Sequence, residues 1–161
     1  MKLRILATVV LGSLWLIAPA KAYSPQDLEQ LKATGDCPRC DLSDAPLNEL
    51  KLNFVGANLR DANLNRANMS QVNLERADLS GANLEIADLT RATLTGASLT
   101  GVNLKSANLE NADLTRAGLI AVNLEGANLR GAKMQFTNFR GAKFRLTTMP
   151  NGVLTPDHRY W

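Results

Sequence analysis

"LEGANLRGAKM", residues 124–134, carries the period on which the reading of the whole chain turns. Ala127 precedes Leu129 by two and Ala132 precedes Met134 by two. The same pair recurs upstream as Ala82 with Leu84, Ala87 with Leu89 and Ala107 with Leu109. A large apolar residue therefore returns every fifth position. A helix advances roughly 100° per residue, so leucines five apart would wind around its whole surface and leave no stripe to bury. In a straight strand side chains alternate, and an odd period sends successive leucines to opposite faces. Neither regular element buries this pattern.

Stepping by five from Leu59 reaches Phe144 through eighteen positions, every one Leu, Met or Phe. Two residues before these centres, seventeen of the eighteen are Ala or Val, with Thr137 the exception; Phe54 and Met149 extend the centres by one at either end. A repeat this strict is read before any other feature. In an extended segment a centre and the residue two before it point the same way, and the residues flanking the centre point the other way. If the chain turns in the same sense after every five residues, each Leu and its Ala face a common axis. The result is a coil with one corner per repeat. Large side chains converging on a narrow axis leave room only for a small neighbour, hence the alanine. The position before the centre is Asn or Asp in thirteen of eighteen repeats, which marks it as outward.

Columns at a spacing of twenty give the number of corners per coil. Asn63, Asn83, Asn103 and Asn123 align, as do Gly81, Gly101 and Gly141 with Ala121 between them. Glu85, Lys105, Glu125 and Arg145 align in alternating charge. Four repeats per coil fits. The twenty centres from Phe54 to Met149 then make about five coils, and layers ~4.8 Å apart give a rod on the order of 24 Å long. The Asn column is expected to form an amide ladder and the charged column a salt ladder.

The A(N/D)LXX pattern over Phe54 to Met149 resembles the pentapeptide-repeat family. That resemblance implies an all-β fold, a right-handed quadrilateral β-helix, and is almost silent on activity. "CPRCDL", residues 37–42, is also similar to the opening segment of cyanobacterial members.

The chain begins "MKLRILATVVLGSLWLIAPAKAYS", with Lys2 and Arg4 ahead of an apolar run from Ile5 to Ile17 and Ala20-Lys21-Ala22 behind it. This reads as a secretory signal peptide cleaved after Ala22. A membrane anchor is the alternative, but the run is short of the roughly 20 residues a spanning helix needs. No cysteine at the cleavage site points to lipidation. Cleavage removes Lys2, Arg4 and Lys21, leaving fifteen cations against fifteen acids in 139 residues, which suits one domain. The basic charge of the full chain is thus no argument for nucleic-acid binding. Export would place Cys37 and Cys40, the only cysteines, where a disulfide persists.

Open solenoid ends expose strand edges and core, and need closing. "YSPQDLEQLKATGDC" predicts a short capping helix: Ser24 as N-cap, Pro25 in the first turn, Asp27 as capping-box acid, Leu28 and Leu31 on one face, Gly35 as stop. Two leucines are too small a face for membrane binding. Leu42, Leu47 and Leu52 keep the five-residue step, but Leu59 lies seven further on, so Asn53 and Phe54 mark a register change in an irregular first coil. At the far end Met134, Phe139, Phe144 and Met149 make one coil of bulky centres, expected to plug the core before the turn "MPNG". Val153, Leu154, Tyr160 and Trp161 either fold over that plug or hang free. The chain divides into a signal peptide (1–22), an N-terminal capping helix (23–36), an irregular opening coil with CPRC (37–53), the repeat β-helix (54–149) and a C-terminal turn and tail (150–161).

CPRC is the one motif with redox or metal potential. As a metal half-site it lacks partners, since His158 is the only histidine, and no His follows it as in haem attachment. It also lacks the βαβ setting of an exchange-active pair. A structural disulfide between Cys37 and Cys40, joining the helix to the first coil, is the default, and thiol–disulfide exchange is the alternative. Thr90, Thr95, Thr100 and Thr115 have no histidine in the array to activate them, and Asp78, Asp88 and Asp113 sit in the Asn slot, where they read as backbone-supporting. A core filled by Leu and Ala leaves no cleft. No catalytic residue, metal ligand or cofactor is assigned.

One branch of the resembled family mimics DNA with an acidic rod and inhibits type II topoisomerases. Here residues 54–125 hold eight acids and six bases, and residues 126–149 hold five bases and no acid. The rod is polar end to end. Arg130, Lys133, Arg140, Lys143 and Arg145 could touch phosphates, but no aromatic lies within 55–135 to stack on bases. The expectation is an exported, non-enzymatic scaffold or protein-binding surface in the periplasm or, by resemblance, the thylakoid lumen. It is a monomer or weak end-to-end oligomer, binds no nucleic acid, and has no stable membrane insertion after cleavage. Its unknown protein partner would meet the Glu85, Lys105, Glu125, Arg145 face or the basic last coil.

Overall fold

The computed structural model describes residues 22–156. The signal-peptide reading and the expectations for His158, Tyr160 and Trp161 fall outside the described residues. Each five-residue repeat forms one side of a coil, and parallel bridges join residues twenty apart: Asn63 to Asn83, Asn83 to Asn103, Asn103 to Asn123, with equivalent series on the other sides. Four repeats make one turn of the coil.

The backbone donors explain why the repeat has five residues. Around Leu84, Ala82 N–H closes a turn on Leu79 C=O (2.9 Å) and Asn83 N–H reaches back one coil to Ala62 C=O (2.9 Å). Leu84 and Ile86 donate forward to Asn103 (2.8 Å) and Lys105 (2.9 Å). The fifth donor, Glu85 N–H, is met by Asn83 Oδ1 at 3.2 Å. Every N–H in the repeat thus has a partner. All thirteen Asn or Asp residues in this slot accept from the N–H two residues on.

The corner is a β-turn whose third residue has a left-handed backbone. In all nineteen repeats from Gly56 to Leu146 the residue two beyond the centre has φ between 53° and 74°, and twelve of these are not glycine. An L-residue there costs roughly 1–2 kcal/mol, which the paired donors on both sides of the turn offset. The glycine column of Gly81, Gly101 and Gly141 falls on this position, and Ala121 takes it at φ 55°.

Inside the coil every centre from Phe54 to Leu129 is at most 1 % exposed, and the Ala positions lie beside them. The inward Thr137 places its Oγ1 on Leu114 C=O at 2.7 Å, and Thr147 does the same with Leu124 C=O at 2.6 Å. A hydroxyl therefore enters the core only by bonding to a turn carbonyl.

The first coil is longer than the others. Asp41 pairs with Asn63 and Pro46 with Asn68, a spacing of twenty-two. The two extra residues are taken up by a 3-10 turn over Leu47–Leu50 followed by Lys51 at φ 53°. Phe54 then resumes the centre position, buried to 1 %, while Leu52, on the five-residue step, is only partly buried.

Helix α1 (Pro25–Thr34) starts at Ser24, whose Oγ accepts from Asp27 N–H, and stops at Gly35, φ 78°, whose N–H bonds to Leu31 C=O. Leu28 and Leu31 join the solenoid core. Asp27 acts otherwise than a capping-box acid. Its Oδ2 accepts from Asp41 N–H at 2.7 Å, and Asp36 Oδ1 accepts from Asn58 N–H at 2.7 Å. In inner coils those donors point to a preceding coil; here the two carboxylates take its place. Ser24 N–H adds a bond to Asp41 C=O at 2.9 Å.

Cys37 and Cys40 bring their sulfurs to bonding distance, with Cα atoms 5.4 Å apart. They do not join the helix to the first coil as expected. Both flank one corner of that coil, because Cys37 holds a centre position, its N–H bonded to Asn58 C=O, and Arg39 between them is the left-handed residue.

The C-terminal end also departs from expectation. Met134, Phe139, Phe144 and Met149 pack on the core but are only partly buried, since no further coil covers them among the described residues. Phe139 and Phe144 meet edge to face, centroids 5.3 Å apart.

Leu109→Ala should destabilise the protein by about 2–5 kcal/mol through a cavity, and Ala107→Leu by about 1–3 kcal/mol through overpacking. Thermal or urea melts check both, and unchanged stability in either variant would contradict the inward assignment.

Candidate interaction surface

With the interior filled from Phe54 to Leu129, the surfaces left for contact among the described residues are the sides of the rod and its ends. Each side presents the residue before the centre and the residue after it, stacked coil upon coil. The Asn column is bonded as a ladder in part: Asn123 Nδ2 to Asn103 Oδ1 (3.3 Å), Asn103 to Asn83 (3.1 Å), and Asn63 to Asp41 (2.9 Å). A second ladder, which the same spacing of twenty could have revealed, runs from Asn128 to Asn108 Oδ1 (3.1 Å) and from Asn108 to Thr90 Oγ1 (2.8 Å).

Glu85, Lys105, Glu125 and Arg145 stack on the side of the first ladder, but the salt ladder closes at one step only. Arg145 pairs with Glu125. Glu85 instead accepts from Asn103 Nδ2 at 3.3 Å, and Lys105 lies in no ion pair among the described residues. Lys105 still acts on Glu125 at longer range, and Arg145, then burial in the opposite sense, dominates the shift that leaves this carboxyl below its ordinary value.

The cations of the last coil surround it and do not form a patch. Lys133 stands on the Met134 side, 3.6 Å from Asp113; Arg140 stands on the Phe139 side, Lys143 and Arg145 on the Phe144 side, and Arg130 on the Leu129 side. The eight surface candidates therefore spread over all four sides. Sequence reasoning missed the exposed apolar residues Phe136, at 83 %, and Leu146, at 42 %, among them; Val153 and Leu154 of the tail, which it left open, are 58 % and 57 % exposed. The signal for Phe136 and Leu146 was an apolar residue at a corner.

Asp78, Asp88 and Asp113 each hold the N–H two residues on. The Thr115 hydroxyl, more than opposing burial, keeps the Asp113 carboxyl below the usual range, aided by Thr115 N–H and Lys133. At Asp78 burial pushes the other way, but bonds from Ser80 and Arg60 outweigh it, and Arg60 is itself raised. A notch of about 360 Å³ opens at the first-coil insertion, lined by Asn48, Lys51, Ser70 and Gln71 among others. Among the described residues no group of three or more His, Cys, Asp or Glu could hold a metal, and no helix is long and apolar enough to cross a membrane.

Eight copies of the model described as pentapeptide repeats match residues 53–90, 87–119 and 107–145. The chain is similar to a pentapeptide repeat protein, Rfr23, of the cyanobacterium Cyanothece 51142, with 28% identity and TM-score 0.52, over 78% of this chain and 95% of that one. It is also similar to HetL of Nostoc, with 29% identity and TM-score 0.34, over 74% of this chain and 62% of that one. A pentapeptide repeat protein of the Arabidopsis thaliana thylakoid lumen gives 37% identity and TM-score 0.30, over 50% of this chain and 59% of that one. No curated protein matches the sequence.

The lowered carboxyls set a pH prediction. A folded value below the unfolded one contributes stability that is present above the unfolded value and lost as pH falls through the folded one. Melting temperature should hold above about pH 5 and fall below about pH 4. Asp113→Asn, whose amide oxygen can still accept from Thr115 N–H, should weaken that acid dependence. A melting temperature that ignores acidification to about pH 3 would contradict the assignment.

Proposed function

This chain belongs to the pentapeptide-repeat family, and from that we propose that it is an exported, non-enzymatic scaffold whose rigid sides and C-terminal end bind a protein partner. It is a right-handed quadrilateral β-helix of about five coils, closed at its N-terminal end by α1. The single observation that carries the reading is the filled interior: the coil is packed with Leu and Ala from Phe54 to Leu129, so binding is left to the surface. The side bearing Glu85, Lys105, Glu125 and Arg145 and the cationic last coil are the candidate contacts. The sequence of residues 1–22 supports export, to the periplasm or thylakoid lumen.

Two other readings have less support. Thiol–disulfide exchange at Cys37 and Cys40 needs solvent access to sulfur, and the two residues are 0 % and 4 % exposed. A structural bridge across the corner fits that burial. A DNA-mimicking topoisomerase inhibitor needs an acidic rod, whereas the last coil here is wholly basic.

Localisation with crosslinking in the native cell, followed by capture on the chain from residue 23 onward, tests the proposal. Capture should yield a partner set that changes when Lys105 and the last-coil cations are reversed in charge. Identical partner sets for the native and charge-reversed proteins would overturn the surface assignment, and a cytoplasmic location would overturn export.

A further inference from the structure

In inner coils the N–H of each centre and of the residue two beyond it donate forward, and the C=O two before the centre accepts from the following coil. Leu104 and Ser106 donate to Asn123 and Glu125, and Val102 accepts from Asn123. In the last coil the corresponding groups reach the edge. The N–H groups of Met134, Phe139 and Phe144, those two residues beyond each, and the C=O groups of Ala132, Thr137 and Ala142 have no backbone partner among the described residues.

The fourth side is closed by the chain itself. After the turn from Met149 to Gly152 an extended segment returns antiparallel to it. Thr148 pairs with Leu154, Thr155 N–H donates to Thr147 C=O (2.9 Å), and Met149 N–H donates to Val153 C=O (2.8 Å). The edge thus already accepts one added strand, and three sides stay open among the described residues. Behind them lie the partly buried Met134, Phe139 and Phe144, with Phe136 beside them, 83 % exposed and held at φ 60°, where a bulky side chain is an outlier. Around the rim stand Lys133, Arg140 and Lys143; residues 126–149 contain no acid, and neither Arg140 nor Lys143 has an ion-pair partner among the described residues.

We propose that this edge binds an extended, acidic segment of a partner protein, added as a strand, whose alternate apolar side chains cover Phe139 and Phe144. This rests on the scaffold reading and specifies its ligand. Strand addition takes affinity from main-chain bonds and specificity from alternate side chains, and the cationic rim selects acids. A second copy docked end to end would bring two cationic rims together at ~4.8 Å strand spacing, which like charges oppose. Head-to-tail stacking is blocked because α1 already covers the first coil, with Leu28 and Leu31 buried there.

The test is an NMR titration of the chain from residue 23 onward with an acetylated, amidated Glu-Val repeat octapeptide in large excess, with a Lys-Val octapeptide as control. The acidic peptide should shift the amides of Phe139, Gly141, Phe144 and Leu146 and slow the exchange of those on the side it joins; the lysine peptide should not. Arg140→Glu with Lys143→Glu should weaken binding by about tenfold or more with no change in melting temperature. The proposal is overturned by unmoved amides, by equal response to the lysine peptide, or by equal competition from a single-stranded oligonucleotide. A concentration-dependent dimer that protects the same amides would assign the edge to a second copy, and binding seen only after removal of residues 157–161 would assign it to the chain's own tail; either overturns it. If the double variant keeps its captured partners while Lys105 reversal loses them, this inference fails and the scaffold reading stands.

Discussion

One hydrogen bond braces most sides of the coil: the side-chain oxygen of Asn or Asp accepting from the N–H two residues on. In a five-residue side, two donors go forward, one goes back and one closes the corner. The remaining N–H lies between them with no backbone carbonyl in reach, and the Asx oxygen takes it. This favours Asn or Asp before the centre, as in thirteen of eighteen repeats, and there holds the approach to the left-handed corner. With the corner fixed, centre and alanine point inward on every side, and the hydrophobic core follows from the turn. Burial of leucine is then the largest favourable term, acting on a geometry that polar side chains have set.

The same logic of unpaired donors distinguishes the two ends. At the N-terminal end Asp27 and Asp36 accept from Asp41 and Asn58, in the place of the carbonyls that a preceding coil supplies to inner coils. Acidic side chains suit this because they offer acceptors only. At the C-terminal end the exposed groups on three sides are mostly donors, and the side chains around them are cations. A donor-rich, cationic edge is complementary to the acidic strand proposed above, and the described solenoid is directional: acidic acceptors complete one end and donors line the other.

Much of the fold was legible in the sequence. The Ala–Leu step, the spacing of twenty and the break between Leu52 and Leu59 each correspond to a distinct physical feature: the inward pair, the coil circumference, and the 3-10 turn at Leu47–Leu50. What periodicity could not supply was the destination of individual hydrogen bonds. Asn83 was recognisable as an outward residue with stacked partners, but its grip on Glu85 N–H depends on backbone direction. Asp27 looked like a capping-box acid because residue type and spacing match, and only the position of Asp41 shows that its carboxylate leaves the helix. Cys37 and Cys40 lie on one corner because residue 37 is itself a centre, a register that the missing repeats before it concealed. Of the surface, charge identity was readable, but its distribution over four sides was not. The partly open last coil was hidden because bulky centres suggest closure, whereas exposure depends on what lies beyond them.

Amide hydrogen exchange, read residue by residue, tests the Asx bond most directly. Glu85, Thr90 and Glu125 follow an Asn or Asp acceptor, whereas Thr95, Thr100 and Ile120 follow Thr93, Ser98 and Gly118, and their N–H groups have no bond among the described residues. All six occupy the same position in the repeat, so coil depth and corner geometry are matched. The account predicts slow exchange at the first three and fast exchange at the second three. Equal protection in both sets would contradict it, by showing that the fifth donor of each side needs no side-chain acceptor.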